Sequence, residues 1–210
     1  MRLAGMVLSA SPGHPAAIAL VGLGLEDLAE ASPFLDRAAA LSRGMGTKGF
    51  SPAVRALVQV ARATCELVAL EPHAAGERLS GLVGTGLPEP LDEAVTRLTL
   101  AAASCTGESE IMAGALERVV GLPALNREAA WFAYLHAKRL GKPGAADLLD
   151  AAEAAMPSLR AILEGARPIP KAGNPGAFAG AGDAPALAAV LPGLFAAGGL
   201  PGRKRMARAA

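Results

Sequence analysis

Bond-making chemistry asks first for thiols, imidazoles and carboxylates brought close together, and this chain offers few of them at a useful spacing. Cys65 and Cys105 stand 40 residues apart, and the three histidines fall at 14, 73 and 136. The densest set is Cys105-Thr106-Gly107-Glu108-Ser109-Glu110, in which Cys105 would be the nucleophile and Glu108 and Glu110 the acid–base partners. A helix N-terminus lowers a thiol pKa. Cys105, however, closes a helix and sits on its apolar stripe, which points to a buried structural thiol, and Cys65 lies on a similar stripe. His73 and Glu77, four residues apart, supply at most two ligands, with Glu66 and Glu71 near in sequence, so no spacing calls for a metal or a cofactor. Gly44-Met45-Gly46-Thr47-Lys48-Gly49 spells G-x-G-x-x-G. The dinucleotide fingerprint needs a strand before the glycines, and a helix precedes them here, so the expectation is an interhelical loop.

The aromatic residues are more concentrated. The only Trp and the only Tyr share Trp131-Phe132-Ala133-Tyr134-Leu135-His136, with Lys138 and Arg139 just beyond. Such a cluster at helical spacing serves as core or as the anchor of a partner surface, where aromatic residues are favoured. Trp131, Tyr134, Lys138 and Arg139 are therefore the candidate partner-binding residues.

The elements that hold these groups read as helices. No long Val/Ile/Thr alternation marks a strand. A first helix is expected over about 15–30, with Gly22 and Gly24 allowing a close neighbour. A second opens at Pro33 behind the cap Ser32 and stops near Gly44. The third is capped by Ser51, opens with Pro52 and carries the stripe Val54, Leu57, Val58, Ala61, Cys65 and Val68, with Arg62–Glu66 as an i,i+4 pair. A fourth follows Pro72. The fifth presents Leu91, Ala94, Val95, Leu98, Ala101, Ala102 and Cys105 on one face, supported by Glu93–Arg97 on the other. A sixth carries Ile111, Ala115, Leu116 and Val119, and a seventh starts after the cap candidate Asn126. An eighth spans about 144–155, and a short ninth runs on through Glu164.

Short connections between successive helices favour antiparallel hairpins. The expected fold is therefore all-α: antiparallel helical hairpins, as a bundle or a short stacked array of about eight helices, with a Gly/Pro-rich C-terminal tail. The expected divisions are an N-terminal segment 1–11, a helical domain 12–166 and a Gly/Pro/Ala-rich tail 167–210.

Composition narrows the partners. Apolar residues make up 52% of the chain and aromatics 3%, so the core must be built mainly from Ala, Leu and Val. A formal net charge of +1 gives no global attraction to nucleic acid or an anionic membrane. The hint of nucleic-acid contact is the basic end, Arg203, Lys204, Arg205 and Arg208, on an otherwise mildly acidic chain. The uncharged run 184–202 is interrupted by Pro185, Pro192 and Pro201 and is not a spanning helix. The apolar run at the N-terminus is short, follows one basic residue, and meets Pro12 and Pro15, unlike a secretory signal. With two unpaired cysteines, a cytoplasmic protein that does not engage membranes is the expectation.

Two segments resemble known families. Ala133, Ala145, Leu149, Ala152 and Pro157, within 129–157, resemble a tetratricopeptide-like helical hairpin repeat, which implies a groove for a peptide or protein partner. Leu91-Asp92, Arg97-Leu98, Leu100-Ala101-Ala102, Cys105, Ala115 and Gly121-Leu122, within 91–122, are similar to the core helix pair of the alkylhydroperoxidase and carboxymuconolactone decarboxylase family. The redox members of that family use Cys-x-x-Cys with a nearby His and Glu. Cys105 stands at one of those cysteine positions and Glu108 and Glu110 lie past it, so the resemblance implies the helical fold and a thiol/carboxylate site without two-thiol chemistry. Weighed together, the residues favour a non-catalytic interaction or adaptor module, or an assembly subunit, that binds a protein partner. The alternative is an alkylhydroperoxidase-like enzyme or a degenerate relative of one.

Overall fold

The computed structural model describes residues 2–23, 28–44, 50–69 and 71–155. Among them are nine α-helices and no strand: α1 Arg2–Ala10, α2 Pro15–Leu23, α3 Leu28–Gly44, α4 Pro52–Val68, α5 Pro72–Ser80, α6 Glu89–Thr106, α7 Ser109–Val119, α8 Asn126–Arg139 and α9 Ala145–Ala155. One turn of 3-10 helix, Pro123–Leu125, leads into α8. The protein is all-α, as the 3.6-residue periodicity requires. Residues 45–49 of the glycine motif, the expected ninth helix, the tail and its basic end lie outside the described residues. No helix among the described residues is long and apolar enough to cross a membrane.

Polar ties fix the direction of three hairpins. Arg78, near the end of α5, donates from Nη1 to Gln59 Oε1 in the middle of α4 (3.0 Å) and from Nε to both carboxylate oxygens of Glu66 (3.0 and 2.9 Å). Arg118 at the end of α7 pairs with Asp92 at the start of α6. Arg127 at the start of α8 donates from Nη2 to the carbonyl of Ala155, the last residue of α9, at 2.9 Å. Gln59 in the middle of α4, Asp92 at the start of α6 and Arg127 at the start of α8 are each tied to the end of the following helix, so α4–α5, α6–α7 and α8–α9 run antiparallel. The α6–α7 reversal is made at Gly107, whose φ of 77° is the left-handed conformation that glycine adopts without strain. Its N–H donates to the Ala103 carbonyl and closes the helix.

α4 packs against α2, α3, α5 and α6, and it is buried on two sides. Val58 and Ala61 face a cluster with Ile18, Ala19, Leu35, Ala38 and Ala39. Val60, Ala63 and Leu67 face a larger cluster that holds Leu79, Leu98, Leu100, Met112, Leu125, Trp131 and Phe132. The sequence stripe captured the first of these faces only. α6 likewise exceeds its expected single face, because Leu100 through Cys105 are buried in succession among α4, α5, α7 and α8.

Several local expectations change in three dimensions. Ser51 caps α4 as expected, its Oγ accepting from Val54 N–H at 3.3 Å, with Pro52 in the first turn. Pro33 does not open a helix but lies inside α3. The buried face Ala31, Leu35, Ala38 and Ala39 continues across it, and packing on α2 and α4 offsets the missing N–H. Asn126 is the first residue of α8 rather than its cap, because the 3-10 turn supplies the entry. Within the N-terminal segment 1–11, residues 2–10 form α1, and Leu8 packs on the smaller cluster. The Arg62–Glu66 pair is replaced by ties between helices: Arg62 reaches Asp36 of α3 at 3.2 Å, and Glu66 takes Arg78 of α5. Glu93–Arg97 forms within α6, at 3.7 Å.

Candidate functional site

The thiol–carboxylate set of the α6–α7 junction does not converge on one point. Cys105 is buried on α6, and burial pushes its pKa up to about 12, with the Arg139 charge acting weakly the other way. Glu108, exposed at the entry to α7, instead faces His73 of α5, with Oε1 3.7 Å from Nδ1. Glu110 is exposed in the first turn of α7. The thiolate is the nucleophilic form, and a thiol held that far above neutrality is almost wholly protonated at pH 7. Cys65 is half-buried on α4, and its pKa is raised to about 11, first by burial and then by the Glu66 carboxylate. Among the described residues, no group of three or more His, Cys, Asp or Glu is placed to hold a metal ion.

The aromatic segment of α8 points inward. Trp131 and Tyr134 are 1% and 5% exposed, and their rings meet edge to face with centroids 6.0 Å apart. They are core residues of the larger cluster, so neither presents its ring to a partner in this conformation. The outward groups are their basic neighbours. Lys138 is exposed and holds Nζ 5.6 Å from the Tyr134 ring centroid. Arg139 is half-buried, and desolvation lowers its pKa. Lys142 is exposed one turn further on, beside Leu140, which is 46% exposed. His136, buried between these cations, has its pKa lowered first by burial and then by Lys142 and Arg139. The end of α8 thus exposes Lys138, Leu140 and Lys142 within five residues, with Tyr134 beneath Lys138.

Clefts also open between the described helices. One, of about 320 Å³, lies between α3 and α4, with Asp36, Arg62, Cys65 and Glu66 in its walls. Of its ions, Arg62 is engaged by Asp36 and Glu66 by Arg78, and Glu71 also lines it. The other, of about 270 Å³, opens among α5, α6 and α7, between Gly76, Val83, Thr96, Ile111, Gly114 and Arg118. Sequence reasoning missed this second cleft. Its residues come from three helices and a turn, and no motif links them. The one available signal was the pair of glycines, Gly76 and Gly114, within otherwise helix-forming segments.

The class that the fold and these surfaces define is a small all-α domain of antiparallel hairpins. No family model, curated protein or solved structure matches the chain.

Proposed function

We propose that this chain is a non-catalytic helical interaction module, or a subunit of a larger assembly, that binds a protein partner. The observation that carries the reading is the state of its would-be nucleophiles: both thiols are held protonated by burial, and the carboxylates nearest Cys105 in sequence are directed to His73 or to solvent. The contact surface is the basic end of α8, with Lys138, Arg139, Lys142 and the exposed Leu140. Its partner presents carboxylates and an apolar side chain. Trp131 and Tyr134 act beneath that surface by fixing α8 against α6 and α9, not by touching the partner. The packed α8–α9 hairpin is also the part of the chain that resembles a tetratricopeptide repeat, and this agrees with a partner-binding use.

The test is affinity capture from the native host with the wild-type chain and with Lys138→Glu/Lys142→Glu, both confirmed to be helical by circular dichroism. A partner that is captured by wild type, weakened by added salt and lost in the double variant supports the reading. Equal recovery by the two chains sinks the basic face as the contact surface.

A further inference from the structure

Hydroxyls on the buried helix faces of this molecule usually bond back to a carbonyl one turn earlier. Thr64 donates to Val60 at 2.9 Å and Thr99 to Val95 at 2.7 Å. Thr96 breaks the pattern. It is 1% exposed, and its Oγ1 has no hydrogen-bond partner among the described residues. On the neighbouring helix, Arg118 gives Nη2 to Asp92, while its Nε is buried and likewise has no partner among the described residues. Leaving a buried donor unsatisfied is unfavourable, so each such group calls for a partner that the described residues do not supply. The two residues that carry these groups, Thr96 and Arg118, both line the same cleft among α5, α6 and α7. Beside them the walls are apolar, with Val83 and Ile111 partly exposed at the surface.

We propose that this cleft binds a small, uncharged, largely apolar molecule carrying one carbonyl oxygen, such as a ketone, ester or amide. That oxygen accepts from the Thr96 hydroxyl and the Arg118 Nε–H, and the hydrocarbon part lies against Ile111 and Val83. Charge decides against a carboxylate. Asp92 already neutralises the guanidinium, so the site has donors to offer but no net positive charge, and an anion would lose its hydration next to the Asp92 carboxylate. Size limits the ligand: about 270 Å³ holds roughly nine non-hydrogen atoms if each takes the ~30 Å³ that a water molecule occupies in the liquid. This site is separate from the basic end of α8 and stands or falls independently of the partner reading.

The full chain labelled at isoleucine δ1 methyls provides the test, because Ile111 lines the cleft and Ile18 belongs to the smaller core. The probe is 2-octanone, and octanoate is its charged analogue. 2-Octanone is expected to shift the Ile111 methyl and leave Ile18 in place, with octanoate weaker by about tenfold or more, the factor that corresponds to 1.4 kcal/mol. Thr96→Val keeps the shape, removes the hydroxyl and weakens 2-octanone about fivefold, the worth of one net hydrogen bond. Gly114→Leu abolishes the shift by filling the cleft. A Cβ at Gly114 meets no atom within 4 Å and leucine favours helix, so this variant folds. The proposal is overturned if Ile111 does not move up to the solubility limit of 2-octanone, or if either variant titrates like wild type. Equal binding of octanoate overturns the uncharged-ligand assignment.

Discussion

The two cores that share α4 are built from different side chains. The cluster over α1–α4 is made of Ile18, Leu35 and Val58 set among Ala19, Ala38, Ala39 and Ala61. The cluster over α4–α9 holds Trp131, Phe132, Tyr134, Met112 and a group of leucines. Small residues let helices approach closely: at Gly22 of α2, an added Cβ would stand 3.1 Å from the Phe34 Cβ of α3. Each alanine, however, removes little apolar area from water, at about 25 cal/mol per Å². Close packing and large burial are thus divided between the two halves, and stability should be divided with them. The α2–α3 side is expected to open first, and the α6–α8 side to carry the global stability.

The strongest challenge to that contrast is Trp131→Ala. Removing the largest fully buried side chain should cost about 3–5 kcal/mol, read as a fall in the urea midpoint for the whole domain. A loss below about 1 kcal/mol would mean that the large core does not dominate. The next largest effect is expected from Leu35→Ala, at about 2–3 kcal/mol. Hydrogen exchange locates it: amides of α2 and α3 should exchange faster while those of α6 and α8 keep their protection. Equal loss on both sides would show that α4 couples the two cores into one cooperative unit.

The smallest and most local contrast lies in the two thiols, one associated with each core. Cys65 packs beside the small cluster, with a pKa of about 11, and Cys105 sits inside the large one, at about 12. At pH 8, native-state labelling of Cys105 should be slower than in the urea-unfolded chain by about a hundredfold or more, with Cys65 in between. The same shifts set a pH dependence. An unfolded thiol ionises near its ordinary value of 9.0 while the folded thiols keep their protons. The native state then binds more protons than the unfolded one, so stability should fall as pH rises from 9 through about 11 and about 12. Labelling of native Cys105 as fast as a free thiol would remove both the burial argument and the non-catalytic reading built on it.

The sequence by itself determined the helical class, the boundaries set by Ser51, Pro52 and Pro72, and the placing of both sulfurs on apolar faces. All of these are short-range: a cap, a missing N–H or a 3.6-residue stripe acts within a few residues of its own position. Only the tertiary structure decided that α4 and α6 are buried on more than one side, that Pro33 lies inside a helix, and that Trp131 and Tyr134 are core while Lys138 stays outside. It alone brought Thr96 and Arg118 to one cleft and moved Arg62 and Glu66 to partners on other helices. Burial and pairing of this kind depend on which segments meet across the fold. The local pattern around each residue carries no record of that, because the free energy that settles it belongs to contacts between residues far apart in the chain.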